Sequence, residues 1–180
     1  MLSQKTILLG VAGGIAAYKS CEIVRLLKKE GAQVFVMMTK AAQNFVTPMT
    51  FQALSGNPVF TDLFDLSQEG KISHIDLADR ADAILIAPAT ADILAKAANG
   101  ICDDVVSTVL LATKAPILFA PSMNVNMYHH PATGQNLKTL KERGCHVMEP
   151  ESGELACGWE GLGRLPEPAW IINCLKEILS

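Results

Sequence analysis

Three stretches of this chain carry polar or reactive side chains where a packed core would not keep them. Pro121–Tyr128 reads PSMNVNMY, directly after the apolar run Ala115–Ala120. A buried strand here delivers an asparagine-bearing loop to its own carboxyl end, the edge where an open parallel α/β sheet binds ligands. Asn124 both donates and accepts hydrogen bonds, so it suits a carboxylate or amide better than a metal; an Asx-turn after a strand is the alternative. His74, in KISHIDLA, carries the one side chain that titrates unperturbed near neutrality. It fits a base or proton relay, or a partly buried histidine at a loop-to-helix junction. Cys157 and Trp159 sit inside Pro150–Pro168, a run with four glycines, three prolines and no clear periodicity. Loops of that length in compact domains are functional lids or disorder, and a tryptophan beside a cysteine favours a flap. A thiol on a flap is accessible enough to react; an inert loop thiol is the alternative.

A fourth stretch faces anions. The first apolar run turns into a helix through GVAGGIAAYKS, whose glycines Gly10, Gly13 and Gly14 miss the G-x-G-x-x-G spacing. The turn still sets small residues and backbone N–H groups at a helix N-terminus, which suits an anion or a tight βα connection. The second apolar run ends Met37-Met38-Thr39-Lys40, without the Asp or Glu that would hold a ribose 2′-hydroxyl. A hydroxyl there favours a mononucleotide such as FMN over NAD, and is equally compatible with a helix N-cap at Thr39. Thr90 and Asp92, in PATAD, either cap the next helix or meet the edge of a bound ring. Ser107 and Thr108 either bond back to their own helix or touch a cofactor.

The elements that must position these groups follow from the hydrophobic pattern. Thr6–Val11, Gln33–Met38, Ala83–Ala87, Ala115–Ala120 and His146–Met148 read as strands. Gly14–Glu30, Pro48–Leu54, Ala91–Ala98, Val105–Ala112, Ala132–Arg143 and Ala169–Leu179 read as helices. Repeated βα units with near-continuous apolar strands predict a three-layer α/β fold: a Rossmann-like or flavodoxin-like parallel sheet with helices on both faces. Residues 1–180 are predicted to form one domain, with a flap at about 150–168.

Composition narrows the classes of function. The net charge of −3, with basic residues scattered, offers neither a nucleic-acid surface nor a polybasic membrane anchor. An apolar content of 49% is high for a small monomer and points to a subunit interface. The five cysteines, Cys21, Cys102, Cys145, Cys157 and Cys174, are dispersed without a C-x-x-C pair. That pattern predicts free thiols, a reducing cytoplasmic setting and no zinc site. ILLGVAGGIAA mimics a signal peptide, but its removal would cost the first strand, and no stretch reaches the ~18 apolar residues of a membrane span. His129-His130 lacks a third ligand at useful spacing.

GGIAAYK, Thr39, KISHIDLA, PATAD, PSMNVNMY and ACGWEGLGRL carry a resemblance that covers nearly the whole chain. In them the sequence resembles the homo-oligomeric flavin-containing cysteine decarboxylases, in the branch that acts on 4′-phosphopantothenoylcysteine. Two departures stand out. The cofactor loop of the family usually reads Pro-Ala-Ser-Ala-Asn-Thr, where this chain has Thr90, Asp92 and Ile93; Tyr128 replaces a frequent tryptophan. The resemblance implies an FMN-dependent carboxy-lyase of coenzyme A biosynthesis that oxidises the substrate thiol to a thioaldehyde, releases carbon dioxide and reduces the resulting enethiol. It implies His74, Asn124 and Cys157 as catalytic residues. Gly13, Gly14, Ile15, Thr39, Ala89, Thr90, Ala91, Asp92 and Ser107 would hold the cofactor. Asn124, Met127, Ala156, Cys157 and Arg164 would hold the substrate, Arg164 either neutralising its phosphate or anchoring the flap. Met123 and Met127 could line a flat ring or simply pack. The resemblance further implies a trimer, extendable to a dodecamer, and a phosphopantothenate–cysteine ligase fused or separate, so that a chain ending at Ser180 is a standalone enzyme or one domain. A flavin prenyltransferase or a non-catalytic flavin-binding regulatory subunit on the same scaffold are the rival readings.

Overall fold

Six short apolar runs that cannot face water on either side have to stack as a covered sheet. The computed structural model, which describes residues 2–63, 74–154 and 158–180, builds that sheet. Its strands are β1 (Thr6–Val11), β2 (Gln33–Met38), β3 (Val59–Phe60), β4 (Ala83–Ala89), β5 (Ile117–Pro121) and β6 (His146–Val147), all parallel in the order β3-β2-β1-β4-β5-β6. This is the doubly wound order of the Rossmann type, not the flavodoxin one, and its direction reverses between β1 and β4.

Side chains alternate across the sheet and choose their layer accordingly. Ile7, Leu9 and Val36 pack with Ile23 and Leu27 of α1 (Lys19–Lys29), Phe51 of α2 (Pro48–Ser55) and Leu175 of α8 (Pro168–Ile178). Leu8, Met37 and Ile86 pack on the other face with Leu77 of α3 (His74–Arg80), Ile93 of α4 (Ala91–Asn99), Val106 of α5 (Val105–Ala112) and Leu140 of α7 (Pro131–Glu142). The three-layer α/β architecture is therefore as the sequence predicts. Within β1, Gly10 packs closely: a Cβ there would lie 2.5 Å from Ile86 Cδ1 on the neighbouring strand, so that side chain would have to turn aside.

Local differences have local causes. The first helix opens with a 3₁₀ turn, Ile15–Tyr18, before α1 begins. It ends at Gly31, in the left-handed region at φ 85°, where the Ala32 and Gly31 amides return to Leu27 and Lys28. The strand β3 and helix α3 escape a periodicity reading because two residues and a half-exposed seven-residue helix show no period. The glycine-rich run at 150–168 is not structureless. Its described part pairs as an antiparallel ribbon, β7 (Glu151–Glu154) with β8 (Glu160–Arg164). The alternation is invisible in ESGE and EGLGR because the ribbon docks on helix α6 (Val125–Tyr128), not in the core. Gly161 makes that contact, a Cβ in its place lying 2.9 Å from Val125 Cγ2.

Candidate active site

The carboxyl ends of β1, β2, β4 and β5 open into one cavity of about 1430 Å³ at the switch point. The turn after β1 forms one wall. Gly13 must lack a side chain, since a Cβ would lie 2.4 Å from Ala41 Cβ and 2.8 Å from the Ala41 carbonyl carbon. The loops after β1 and β2 thus meet at backbone distance. Gly14 is different: in extended conformation, it faces the cavity, and a Cβ would meet only Thr90 Cγ2, at 3.6 Å. Ile15 continues this wall and is more than half exposed.

Two hydroxyls fix the neighbouring loops. Thr39, buried after β2, accepts a hydrogen bond from the Ala42 amide at 3.2 Å and starts the 3₁₀ turn Ala42–Asn44. Thr90 caps α4, accepting from the Ile93 amide at 3.4 Å. The capping reading holds for Thr90, whereas the cap position of the turn after β2 is Ala41, two residues beyond Thr39; both threonines line the cavity, with Ala91 and Asp92 beside Thr90.

The asparagine loop reaches the cavity from β5. Asn124 Oδ1 accepts from the Asn126 amide at 2.8 Å and caps the one-turn helix α6. The Asx-turn is real, and it holds the side chain of a cavity residue in one orientation. Met123 and Met127 line the same wall, Met123 also packing on the core and Met127 half exposed. The ribbon closes the far side. Its Gly163 carbonyl accepts from the Met123 amide at 3.0 Å, and Glu154, Gly158 and Arg164 face the cavity. Arg164 lies across Gly153, where a Cβ would sit 2.7 Å from its Nη1.

Three of the residues expected here are elsewhere. His74 starts α3 and does not line the cavity. Ala89 is fully buried inside β4, also away from the wall. Ser107 is buried as the third residue of α5 in a capping box: its Oγ accepts from the Asp104 amide at 3.1 Å, and its own amide donates to Asp104 Oδ1 at 2.9 Å. The same Oγ donates to the Asp104 carbonyl at 3.1 Å, so the back-bonding reading of Ser107 describes its place at the helix start. Ala156 and Cys157 lie outside the described residues.

Charge on the wall is mixed. Lys19 pairs with Glu167 at 2.9 Å, and Lys96 reaches Asp103, Asp104 and Asp92 at 2.9, 3.3 and 3.4 Å. The hydrogen bond to Asp103, helped by the other carboxylates and opposed by desolvation, holds the Lys96 ammonium protonated well above its usual range. Among the described residues, the cavity cations Lys40 and Arg164 have no carboxylate within 4.0 Å. Sequence reading missed Lys19, Lys96, Asp103 and Asp104. The i, i+4 spacing of Asp92 and Lys96 and the Asp104-x-x-Ser107 cap are readable in principle; the loop that brings Asp103 to Lys96 is not. His130 Nδ1 accepts from the Ala132 amide at 3.1 Å, capping α7. No helix among the described residues is long and apolar enough to cross a membrane.

Comparison with known proteins agrees with this geometry. The flavoprotein family matches residues 1–180. The chain is 51% identical over 177 residues to the coenzyme A biosynthesis bifunctional protein CoaBC of Bacillus subtilis (strain 168), covering 98% of this chain and 44% of the relative. It is 48% identical over 172 residues to CoaBC of Escherichia coli (strain K12), covering 96% and 42%. It thus spans less than half the length of these curated relatives. Among solved structures it is similar to a cysteine-to-serine mutant of PPC decarboxylase complexed with pantothenoylaminoethenethiol, at TM-score 0.87 and 30% identity over 97% of both chains. It is also similar to the FMN-dependent cysteine decarboxylase SpaF, at TM-score 0.84 and 32% identity over 100% of both chains.

Proposed function

This chain belongs to the flavoprotein family, and on that footing we propose that it is an FMN-dependent carboxy-lyase converting 4′-phosphopantothenoylcysteine to 4′-phosphopantetheine in coenzyme A biosynthesis. The observation that carries the reading is convergence on one switch-point cavity. A glycine turn, two hydroxyl-bearing loops and the Asn124 loop meet there, and a separate ribbon supplies Arg164. The names of relatives at 48% and 51% identity support the same pathway.

The residues fit FMN. The side of Gly14 that a Cβ would occupy is open toward the cavity, and hydroxyl-bearing Thr39 and Thr90 flank it, with no acidic residue at the end of β2 to claim a second ribose. We assign Gly13, Gly14, Ile15, Thr39, Thr90, Ala91 and Asp92 to its cradle. When bound, the flavin supplies reversible hydride transfer, which makes the thiol-bearing carbon of the substrate an electron sink for decarboxylation.

The protein's own groups then orient and protonate. Asn124, held by its cap on α6, presents an NH₂ donor to the substrate carboxylate. A neutral donor binds that carboxylate without the strong ion pair that would oppose its departure as carbon dioxide. Arg164 takes the substrate phosphate through its planar donor fork. Cys157 protonates the enethiol carbon, and His74 relays the thiol proton. Because His74 stands off the wall, we read the enzyme as a homo-oligomer. A second copy packed on the half-exposed edge residues Ile15, Tyr18 and Met127 would bury them and bring its own His74 to the cavity. A phosphopantothenate–cysteine ligase is the natural catalytic partner, since the relatives are named bifunctional.

Incubation of the flavin-loaded protein with 4′-phosphopantothenoylcysteine should release carbon dioxide and 4′-phosphopantetheine in equal amounts. Absence of both products from a fully loaded oligomer would refute the assignment. Cys157→Ser should stop at the oxidised enethiol, and normal product from that variant would remove Cys157 from the mechanism.

A further inference from the structure

The cavity wall also carries a knot of charge around Lys96 that the flavin cradle shares only at Asp92. Lys96, about two-thirds along α4, is only 19% exposed in its side chain and stands within 3.4 Å of three carboxylates. Asp92 comes from the first turn of α4, and Asp103 and Asp104 from the connection to α5. All four residues line the cavity. An ammonium has three N–H donors, and each has a carboxylate within reach, so Lys96 is committed to them and is no direct ligand for a phosphate. Its removal would leave three carboxylates on the wall of a cavity that takes phosphorylated molecules. Repulsion across a partly enclosed space is screened less than on an open surface.

We propose that Lys96 is a positioning residue that offsets part of the charge of the carboxylate wall and thereby sets the preference of the cavity for phosphorylated over unphosphorylated flavin. The inference rests on the FMN reading above. It extends that reading to a residue that acts through its neighbours.

The test is the dissociation constant of FMN and of riboflavin, measured by flavin fluorescence on the flavin-stripped protein at low and high salt. Lys96→Gln should weaken FMN by about tenfold and riboflavin by no more than about twofold, with the difference shrinking as salt rises. Lys96→Arg should keep the wild-type preference. Asp103→Asn, a change at an exposed side chain that leaves Lys96 with Asp92 and Asp104, should strengthen FMN binding about twofold and leave riboflavin unchanged. Equal losses for both flavins in Lys96→Gln would make the residue merely structural and overturn the proposal, as would weaker FMN binding in Asp103→Asn. If Lys96→Gln does not fold, the Asp103→Asn and Lys96→Arg results decide. A folded wild-type protein that binds neither flavin would overturn the FMN reading itself, a result distinguishable from a wild type that prefers FMN while the variants fail to follow.

Discussion

The adjacent glycines of the first turn should behave in opposite ways. Gly13→Ala places a methyl 2.4 Å from Ala41 Cβ and 2.8 Å from a backbone carbon, so the loop after β2 has to move. Overpacking of this kind costs about 1–3 kcal/mol, which for a domain of this size lowers Tm by roughly 3–9 °C. Gly14→Ala meets only Thr90 Cγ2, at ordinary contact distance, in a backbone conformation open to any residue. Reduced freedom of the unfolded chain then raises stability by about 0.4–1 kcal/mol in the flavin-free protein. The same methyl intrudes on the cradle. At a free FMN concentration about 100 times its Kd, ligand linkage adds ~2.7 kcal/mol to the wild type, and a tenfold weaker Gly14→Ala loses about half of that. Thermal melts of both variants with and without FMN, together with flavin fluorescence titrations, read all four quantities. Wild-type FMN affinity in Gly14→Ala, or a flavin-free Tm as low as that of Gly13→Ala, would refute the assignment of the two glycines.

Other outcomes separate structural from chemical roles. Asn124→Asp keeps an acceptor for the Asn126 amide, so the cap on α6 should survive. It sets a negative charge against the substrate carboxylate, and decarboxylation should fall by at least about 100-fold; wild-type turnover would sink Asn124 as the carboxylate site. Ser107→Ala should cost about 1 kcal/mol, or roughly 2–4 °C, by breaking the capping box, with FMN affinity intact. Weakened FMN binding without a loss of Tm would return Ser107 to the cofactor site. Asp82 accepts from the Thr6 amide at 2.8 Å and from Lys5 Nζ at 2.9 Å, which hold its carboxyl below the usual range. A lowered folded pKa means stabilisation that is present above the unfolded value of about 3.9 and lost as pH falls through the lower one. The group is one-third exposed, so the effect is below ~1 kcal/mol. Asp82→Asn should flatten the decline of Tm below about pH 4, and parallel acid limbs for the two proteins would exclude the linkage.

The sequence by itself determined what depends on near neighbours. Thr6–Val11, Gln33–Met38 and Val105–Ala112 fold with the bounds their patterns predict, because burial on both faces or one stripe is written into consecutive side chains. Strand ends were legible for the same reason, so Gly13, Gly14, Thr39, Thr90, Asn124 and Met127 all arrive at one cavity. Tertiary structure decided what depends on distant pairing. The order β3-β2-β1-β4-β5-β6 sets the β1 turn beside the Thr90 loop, and no local pattern encodes which strands become neighbours. The ribbon of β7 and β8 draws its stability from mutual pairing and from α6, so its residues looked like loop. Ser107 had two readings, a bond back to its own helix or a cofactor contact, because a polar residue on an apolar helix has two uses; the bond to Asp104 is visible only in the folded chain. Lys96 was overlooked for a similar reason: one of its carboxylates is four residues away, and the others come to it only because α4 and α5 fold back around the connecting loop.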